Sequence, residues 1–416
     1  MGRRHLRSVA VILALLGLAA DGLAGERDES LWAAALQRRS SFADQLRALV
    51  HIDSGTGHAA GLSRIETMLA DRLRALDAEV RLHDTPPAVG RTVVGSWRGT
   101  GAVDVMLMIH YDTVYEPGEA TRRPFRVEGT RAYGPGVADA KGGVLVILHA
   151  LEIAHERGLR DFRTLTVLFN PDEEKSSLGS RHTIRDLAAQ QDFVLSFEPP
   201  EADQVIVGTN GIAWVHLEVT GRAAHAGAAP DEGRNAALEL AHQLLQLRDL
   251  GDRTRGTTVN WTTAQAGRPG RINVIPDKAT ATADMRMADA AEIGRVDAQA
   301  RHIVRKRLIP DTEVSVHVES RRPPFSRNAA TDRLAMLAQD IAAETGVRIR
   351  PVVMGYGTDA GFAYGAGGSG PVILEGLGIV GAKIHTPDEW VDLESIPGRI
   401  YLAVRLLEAL GQGRGR

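Results

Sequence analysis

Histidines and carboxylates follow three apolar runs of this sequence, each at the point where a predicted strand ends. His110 and Asp112 follow VDVMLMI, Glu173 and Glu174 follow TLTVLFN, and Glu198 follows FVLSF. In open α/β sheets, ligands bind beyond the carboxyl ends of the strands. Because a buried carboxylate is costly unless it is paired or bound to a metal, we expect these side chains to form one polar site at the edge of a sheet.

Two further candidate ligands lie in turns. Asp139 stands in the glycine-rich turn GPGVADAKGG, and His385 stands in KIHTPDEW near the end of the chain. The chain has no cysteine, which excludes disulfides, thiolate zinc sites, iron–sulfur clusters and cysteine nucleophiles. Histidine and carboxylate ligands without cysteine suit one or two zinc ions.

Each of these residues, taken alone, also has an ordinary structural explanation. A single histidine at a strand end is more often a packed structural residue than a ligand. Asp139 alone is explained as a helix N-cap, and Glu173 and Glu174 are explained as a solvated loop. Helix capping does not explain several such residues around one sheet, so the complete set favours a metal site.

The composition of the chain is that of a folded globular protein. It has 416 residues, of which 44% are hydrophobic and 24% are charged, and this length favours two domains. Lysine and arginine number 49 against 52 acidic residues, for a net charge of −3. This balance argues against a nucleic-acid partner, which requires clustered basic side chains.

The N-terminus has the pattern of a secretory signal. Arg3, Arg4 and Arg7 precede an apolar run from Val9 to Ala20, which is followed by the small-residue segment GLA. These are the basic region, the apolar region and the cleavage site of a signal peptide, and the run is too short to span a bilayer. The alternative is a buried N-terminal helix. We expect cleavage after about residue 24, and a periplasmic or secreted mature protein with no membrane segment.

The elements that must position these residues alternate between strands and helices. Apolar runs at 103–109, 164–169 and 193–197 are typical of buried strands, and the segments 143–157 and 180–190 are typical of helices. Continuous apolar strands separated by helices predict an α/β catalytic domain with a mixed, largely parallel sheet, covered on both faces.

The pattern changes between residues 212 and 323. There the order of predicted elements is β-α-β-β-α-β, which is the ferredoxin-like unit, and afterwards the chain returns to α/β. We therefore predict a signal peptide (1–24), a first catalytic part (25–211), an inserted ferredoxin-like domain (212–323) and a second catalytic part (324–416).

A different class of protein also fits part of this pattern. A signal peptide, two α/β domains and the absence of cysteine are typical of a periplasmic solute-binding protein as well, but such a protein does not need histidines and carboxylates at its strand ends. The spacing of Gly376, Gly378 and Gly381 matches a dinucleotide-binding fingerprint. We discount it, because AKIHTPDEW follows where that motif requires a helix.

Seven motifs together resemble a known enzyme family. They are, in chain order, HYDTVY, GPGVADAKGG, LFNPDEEKSSLGS, LSFEPP, HAGAAPDEGRNA, GTDA and HTPDEWVD. In this order they resemble the di-zinc aminoacylase and glutamate carboxypeptidase family of metallopeptidases, and most of all its folate-hydrolysing carboxypeptidase G group. The resemblance extends from about residue 42 to residue 410.

This resemblance implies two zinc ions per subunit and assigns their ligands. His110, Asp139 and Glu198 are expected to hold one ion. Asp139, Glu174 and His385 are expected to hold the other, so that Asp139 bridges the two.

The resemblance also implies how the reaction is catalysed. Glu173, which lies beside a ligand but is not one, is the expected general base for a water bound between the zinc ions. Asp112 is the expected acceptor that fixes the tautomer of His110.

The inserted domain supplies further residues on the same family argument. His225 resembles the histidine that crosses a dimer interface to stabilise the developing oxyanion, and Asn273 resembles an asparagine contributed in the same way. Arg286 and Arg322 resemble residues near the substrate carboxylate, and Thr358 stands in a turn whose backbone contacts substrate. The alternatives are surface ion pairs for the arginines, an unpartnered turn histidine and a plain loop. A homodimer through the inserted domain follows from the resemblance.

The implied function is that of a zinc-dependent exopeptidase. It hydrolyses the amide bond to a C-terminal amino acid, glutamate first, in N-acyl-glutamate or folate-type substrates. Gln204 departs from this pattern, because glutamate-releasing relatives tend to carry a basic residue before the turn GTNG. The alternative is an N-acyl-amino-acid deacylase or dipeptidase of the same family, acting on a small peptide or N-acyl amino acid with the same zinc and base residues.

Overall fold

The computed structural model describes residues 25–365 and 370–415 of the chain. The signal peptide predicted at residues 1–24 lies outside these described residues. Within them, no helix combines the length and the apolar character that crossing a bilayer requires.

The described residues form helices and strands in alternation. The α-helices are α1 (Glu29–Val50), α2 (Ala59–Ala75), α3 (Glu119–Arg122), α4 (Gly143–Glu156), α5 (Arg181–Ala188), α6 (Ala236–Gln246), α7 (Ala291–Ile303), α8 (Ala329–Glu344), α9 (Ala360–Tyr364) and α10 (Ile396–Gly411). The strands are β1 (Glu79–Asp84), β2 (Arg91–Arg98), β3 (Asp104–His110), β4 (Arg126–Glu128), β5 (Arg131–Tyr133), β6 (Thr164–Asn170), β7 (Phe193–Ser196), β8 (Gln204–Thr209), β9 (Gly211–Thr220), β10 (Ala224–His225), β11 (Thr258–Ala266), β12 (Val274–Ile275), β13 (Lys278–Met287), β14 (Glu313–Arg322), β15 (Arg350–Met354), β16 (Val372–Leu374), β17 (Gly381–Ala382) and β18 (Trp390–Asp392).

A six-stranded sheet in the order β1-β2-β6-β3-β7-β16 forms the centre of the larger part of the fold. The strands β6, β3, β7 and β16 run parallel to one another. The strands β2 and β1 complete one edge in antiparallel pairs. The sheet is therefore mixed and largely parallel, as the sequence predicts.

The central strand β3 is buried along its whole length, because helices cover both faces of the sheet. Val105, Leu107 and Ile109 join a core with residues of α1, α2, α4, α8 and α10. Met106 and Met108 join a second cluster, with residues of α5 and α9. Since alternate side chains of a strand enter opposite faces, a strand buried on both sides has the uninterrupted apolar run seen in this sequence.

A separate four-stranded antiparallel sheet, in the order β11-β13-β9-β14, lies between residues 211 and 322. Because α6 lies between β9 and β11, and α7 lies between β13 and β14, the chain order is that of the ferredoxin-like fold. Its hydrophobic core is its own and includes Val215, Leu240, Met285 and Val296. The predicted fold class is confirmed, and the exact domain boundaries stay a prediction.

Candidate metal centre

Three neighbouring strands bring the polar residues that follow them to one edge of the central sheet. The strand β3 ends at His110 and lies between β6 and β7. Glu173 and Glu174 begin a short 3-10 turn after β6, and Glu198 follows β7. Because these strands are parallel, their carboxyl ends and the residues beyond them meet at the same edge.

The carboxylate of Asp139 lies between two imidazoles. His110 Nε2 is 3.0 Å from Asp139 Oδ1 and 3.7 Å from Glu198 Oε1. On the other side, His385 Nε2 is 3.0 Å from Asp139 Oδ2 and 3.2 Å from Glu174 Oε2. Ligand atoms of His110, Asp139 and Glu174 all lie within 4.8 Å of one another. Two groups of ligand atoms therefore share Asp139, which is an arrangement suited to two metal ions.

The donor atoms also fit a metal ion individually. Glu174 Oε1 is buried and has no hydrogen-bond partner, although the other oxygen of this carboxylate faces His385. A buried polar atom without a partner is costly, and a bound cation would satisfy it. Imidazole nitrogen and carboxylate oxygen are the donors that zinc and related divalent metals accept, so the residues present fit such an ion.

The electrostatics of the site favour added positive charge. Burial and the neighbouring Asp139 carboxylate raise the pKa of Glu174 to about 8. Burial raises the pKa of Glu198 to about 7, against the opposing effect of a nearby histidine. Hydrogen bonds to Asp139 and Glu174 raise the pKa of His385 to about 11. Buried carboxylates crowd together here, and a cation relieves their mutual repulsion.

Asp112 connects three segments of the chain that build the site. Its Oδ1 is 3.2 Å from His110 Nδ1 and accepts a 3.1 Å hydrogen bond from the backbone N–H of Glu173. Its Oδ2 accepts hydrogen bonds from Thr56 Oγ1 at 2.6 Å and from the backbone N–H of Glu174 at 3.2 Å. An acceptor at Nδ1 keeps the imidazole proton on that nitrogen, so Nε2 is left as the nitrogen that can bind a metal.

Glu389, which the sequence pattern did not single out, holds the turn that carries Asp139. Its buried carboxylate accepts hydrogen bonds from the backbone N–H groups of Gly136 (2.9 Å), Ala138 (2.8 Å) and Asp139 (3.0 Å). The Tyr115 hydroxyl donates a fourth, at 2.8 Å. Glu389 belongs to HTPDEW, the motif noted for its histidine. One loop therefore supplies a candidate ligand and also supports another.

A cavity of about 430 Å³ opens onto the candidate ligands and is lined by residues of both the central and the inserted parts of the fold. Four candidate ligands line it (Asp139, Glu174, Glu198 and His385), and its lining also includes Glu173, Arg286, Arg322, Tyr356 and Thr358. The candidate general base and three of the candidate substrate contacts therefore border the same space.

Arg322 is paired with Glu173 inside this cavity. Its Nη1 contacts Glu173 Oε1, and its Nη2 donates to the backbone carbonyl of Glu173 at 2.7 Å. Nη1 also donates to the carbonyl of Gly357 at 2.9 Å. Although burial opposes it, the Glu173 carboxylate raises the pKa of Arg322. Arg322 is therefore a fixed positive charge beside the candidate base.

Arg286 and Thr358 are each held by a neighbouring acid. Arg286 makes two parallel bonds to Asp284, at 2.8 and 2.9 Å. The Thr358 hydroxyl donates to Glu375 at 2.8 Å. Glu375 is fully buried, and burial raises the pKa of this carboxyl well above its ordinary value. No sequence pattern singles out Glu375, because this residue is the polar end of the apolar segment PVILE.

Two of the candidate residues lie away from the cavity. His225 is exposed in β10, and its Nδ1 accepts hydrogen bonds from the backbone N–H groups of Gly227 and Ala228, at 3.2 and 3.0 Å. Asn273 is also exposed, just before β12, and its carbonyl accepts from Ala226 at 2.9 Å. The pairing of β10 with β12 therefore brings the segments of His225 and Asn273 together, and neither residue is among those that line the metal-site cavity.

Known proteins resemble this chain along most of its length. The model of a family described as peptidase family M20/M25/M40 matches residues 106–409. Carboxypeptidase G2 of Pseudomonas sp. (strain RS-16) is 39% identical over 418 residues, which cover 99% of this chain and 99% of that protein.

Solved structures share the fold. Aminopeptidase PepT from Bacillus cereus ATCC 10987 has a TM-score of 0.72 at 21% identity, covering 89% of this chain and 98% of that one. The YXEP protein of Bacillus subtilis, described as a dinuclear metal-binding peptidase of the M20 family, has a TM-score of 0.64 at 14% identity, covering 89% of this chain and 99% of its own. At these identities the likeness is one of fold.

Proposed function

The chain belongs to peptidase family M20/M25/M40, and on that basis we propose that it is a zinc-dependent exopeptidase that hydrolyses the amide bond to a C-terminal amino acid. The observation that carries this proposal is the meeting of two histidines and three carboxylates at one edge of the sheet, where all of them but His110 line one cavity. The 39% identity to carboxypeptidase G2 supports release of a C-terminal residue. The motif resemblance puts glutamate first, in N-acyl-glutamate or folate-type substrates.

In the proposed centre, His110, Asp139 and Glu198 hold one zinc ion, and Asp139, Glu174 and His385 hold the other. The distances among these side chains and the unpartnered buried oxygen of Glu174 support the assignment. When bound, two zinc ions lower the pKa of a water molecule and polarise the substrate carbonyl.

Glu173 acts as the general base in this proposal. It takes a proton from the attacking water and returns it to the leaving amine. Its carboxylate lines the cavity, its backbone N–H is fixed by Asp112, and Arg322 contacts its Oε1. These contacts orient the carboxylate before substrate arrives.

The positive charge in the cavity suits the terminal carboxylate of the substrate. Arg286 and Arg322 both line the cavity, and a guanidinium can hold a carboxylate with two parallel bonds. Asp284 engages Nε and Nη2 of Arg286, which leaves Nη1 for a ligand. Thr358, fixed by its bond to Glu375, supplies a polar wall beside them.

Two copies of the chain pair through the inserted domain in this proposal, so that His225 and Asn273 of one copy reach the cavity of the other. The exposure of both residues and the pairing of their segments, β10 with β12, support it. The edge strand β11, which pairs with β13 on one side, supports it as well. Because Nδ1 of His225 accepts from the backbone, its proton lies on Nε2 and can be donated to a developing oxyanion.

The alternative activity is that of an N-acyl-amino-acid deacylase or dipeptidase, with the same zinc and base residues. Gln204 begins β8 and is not among the residues that line the cavity. In this proposal the side chains that line the cavity, rather than Gln204, select the C-terminal residue of the substrate. The solute-binding alternative is wrong, because the chain is a homologue of metallocarboxypeptidases. The signal pattern of residues 1–24 supports export to the periplasm or the medium.

The test uses the mature, zinc-reconstituted protein with a chelated sample as control. It compares hydrolysis of N-acyl-glutamate and folate-type substrates with hydrolysis of N-acyl-alanine, -phenylalanine and -arginine. Chelator-sensitive release that favours glutamate supports the proposal. Release that favours a neutral residue keeps the mechanism and selects the deacylase or dipeptidase alternative. No bound metal and no hydrolysis would contradict the proposal as a whole.

Replacing Glu173 with glutamine separates base from ligand. The expected result is a loss of turnover of about 10²–10⁴-fold with zinc content unchanged. Glu116→Gln, a change at an exposed carboxylate outside the cavity lining, is the matched control and should leave both unchanged. Loss of zinc together with turnover would show that Glu173 is a metal ligand and that its assignment as the base is wrong.

A further inference from the structure

Two hydroxyl groups in the lining of the metal-site cavity have no part in the proposed reaction. Ser176 and Tyr356 both line this cavity and are half-buried. Neither hydroxyl makes a hydrogen bond to another of the described residues. The Thr358 hydroxyl, by contrast, donates its proton to Glu375. Ser176 and Tyr356 therefore offer the cavity hydroxyl donors that no protein acceptor occupies.

Ser176 has a backbone conformation that glycine adopts more easily. Its φ is 64° and its ψ is 33°, in the left-handed region that residues with a Cβ rarely enter. It ends the short turn that carries Glu173 and Glu174. Strained residues beside functional groups are a reason to ask what their side chains do. What a glycine here would lack is the hydroxymethyl group that borders the cavity.

The Arg322 guanidinium joins the backbone segments that carry the two hydroxyl groups. Its Nη2 donates to the Glu173 carbonyl at 2.7 Å, and the same carbonyl accepts from the Ser176 N–H at 2.8 Å. Its Nη1 donates at 2.9 Å to the carbonyl of Gly357, the residue after Tyr356. Because Arg322 is a candidate for the terminal carboxylate of the substrate, an amino acid held there lies next to both segments.

The Tyr356 side chain is a neutral donor on a fixed backbone. Burial and the nearby Glu375 raise the pKa of Tyr356, so the phenol keeps its proton. The Tyr356 carbonyl accepts from the Asn210 N–H at 3.0 Å, which holds the turn in place. A preorganised group loses little conformational freedom when a ligand binds.

The cations that line the cavity already have other partners in the proposed function. Among the described residues they are Arg286, Arg322 and His385. His385 is a zinc ligand there, and the two arginines hold the terminal carboxylate of the substrate. The side chain of the C-terminal residue is therefore left to the neutral hydroxyl groups. Because a hydroxyl both donates and accepts hydrogen bonds, it suits an amide as well as a carboxylate.

We propose that Ser176 and Tyr356 select the C-terminal residue of the substrate by hydrogen bonds to its side chain. The residues that they favour carry a side-chain carboxylate or amide, so glutamine is accepted alongside glutamate and alanine is disfavoured. This inference rests on the proposed function, because it places the released amino acid in the metal-site cavity. It extends the substrate class to a neutral side chain.

The test compares substrates that share one acyl group and differ in the C-terminal residue. N-benzoyl-glutamate, -glutamine and -alanine are assayed with the zinc-reconstituted enzyme. For the wild type, kcat/KM should agree within about fivefold for glutamate and glutamine, and should be about tenfold or more lower for alanine. Ser176→Ala and Tyr356→Phe each remove one neutral hydrogen bond. Each should lower kcat/KM for the glutamate and glutamine substrates by about fivefold, through KM, and for the alanine substrate by less than about twofold.

Two further variants separate binding from folding. Ser176→Gly should lose the same selectivity and yet melt at a temperature no lower than that of the wild type, because glycine adopts the left-handed conformation without strain. Asp77→Gly is the matched control, since Asp77 has a φ of 61° and is exposed outside the cavity lining, and it should have wild-type kinetics. Equal losses on all three substrates in Ser176→Ala and Tyr356→Phe would overturn the proposal. So would a wild-type preference for glutamate over glutamine above about 100-fold, because that requires a charged partner for the side chain.

Failure of the proposed function is recognised separately. If the wild-type zinc enzyme hydrolyses none of the three substrates, the proposed function fails, and calorimetric binding of free glutamine and glutamate still tests the two residues. Binding of both amino acids that weakens by about fivefold in Ser176→Ala and in Tyr356→Phe supports their role, and no binding of either amino acid to the wild type would overturn it. Hydrolysis that favours the alanine substrate keeps the proposed reaction and overturns this inference.

Discussion

Replacing Glu389 with glutamine tests the contacts that hold Asp139 in place. In the native chain, Oε1 of Glu389 accepts from the backbone N–H groups of Ala138 and Asp139, and Oε2 accepts from Gly136 and the Tyr115 hydroxyl. Glutamine offers one oxygen where glutamate offers two. With that oxygen toward Ala138 and Asp139, the amide N–H₂ faces the Gly136 N–H, donor against donor.

The size of the effect follows from these contacts. One buried backbone N–H loses its acceptor, which costs about 1–3 kcal/mol. The two backbone bonds that remain lose a charged acceptor, and each weakens by about 0.5–1 kcal/mol, because charge-assisted bonds are roughly twice as strong as neutral ones. The Tyr115 hydroxyl can rotate to accept from the new amide. The free energy of unfolding should therefore fall by about 2–5 kcal/mol.

The same change should weaken zinc binding. The Asp139 backbone is one of the groups that Glu389 fixes, and loss of a partner that orients a ligand typically costs about 10–100-fold in metal affinity. Stability is measured by denaturant unfolding of the chelated protein, and affinity by competition with a chromophoric chelator. Glu394→Gln, at a carboxylate with 54% side-chain exposure, is the control and should change stability by less than about 1 kcal/mol.

Either measurement can refute this reasoning. A Glu389→Gln protein that is less stable but binds zinc as tightly as wild type would show that Glu389 does not position Asp139. A protein with wild-type stability would show that the hydrogen bonds accepted by Glu389 do not contribute the free energy of unfolding assigned to them.

Two other replacements test separate parts of the chain. Asp139→Ala removes the carboxylate that both groups of ligand atoms share, so we expect loss of both metal ions by elemental analysis; a variant that retains two ions per chain would contradict a bridging role. Glu152→Gln tests pH-linked stability: although burial opposes it, the His149 ring 3.3 Å away and the hydrogen bond from Arg72 hold the pKa of Glu152 at about 2. Because a lowered carboxylate pKa stabilises the fold above the unfolded-state pKa and this contribution is lost as pH falls, wild type should exceed the variant by about 1–2 kcal/mol at pH 7, after allowance for solvent screening. Denaturant unfolding should show this difference shrinking from about pH 4.5 to about pH 2, and a difference independent of pH would count against the assignment.

The parts of the fold that could be predicted are those with a strong local pattern. The strands β3, β6 and β7 are buried on both faces. Each therefore appears in the sequence as a largely apolar run. The edge strand β1 reads EVRLHD and is exposed or half-buried throughout, so no apolar run reveals it. Its pairing with β2 depends on tertiary position rather than on its own residues.

Among the residues of the candidate site, too, only those with a local sequence pattern could be predicted. His110 and Glu198 could be predicted, because a histidine or an acid just beyond an apolar strand is visible in the chain. Glu389 could not, because its role depends on the backbone N–H groups of a turn about 250 residues away. His225 and Asn273 stand out as motif residues, yet the fold does not bring them to the lining of the metal-site cavity.

The placement of the ligands on either side of the inserted domain bears on how the protein matures. His110, Asp139, Glu174 and Glu198 precede the insertion, and His385 follows it. In the proposed centre, the first ion finds all its ligands in the earlier part of the chain, whereas the second must wait until the last segment has folded back across the sheet. Glu389, which supports the shared ligand Asp139, also lies in that last segment, so a complete centre requires both ends of the catalytic part to be folded together.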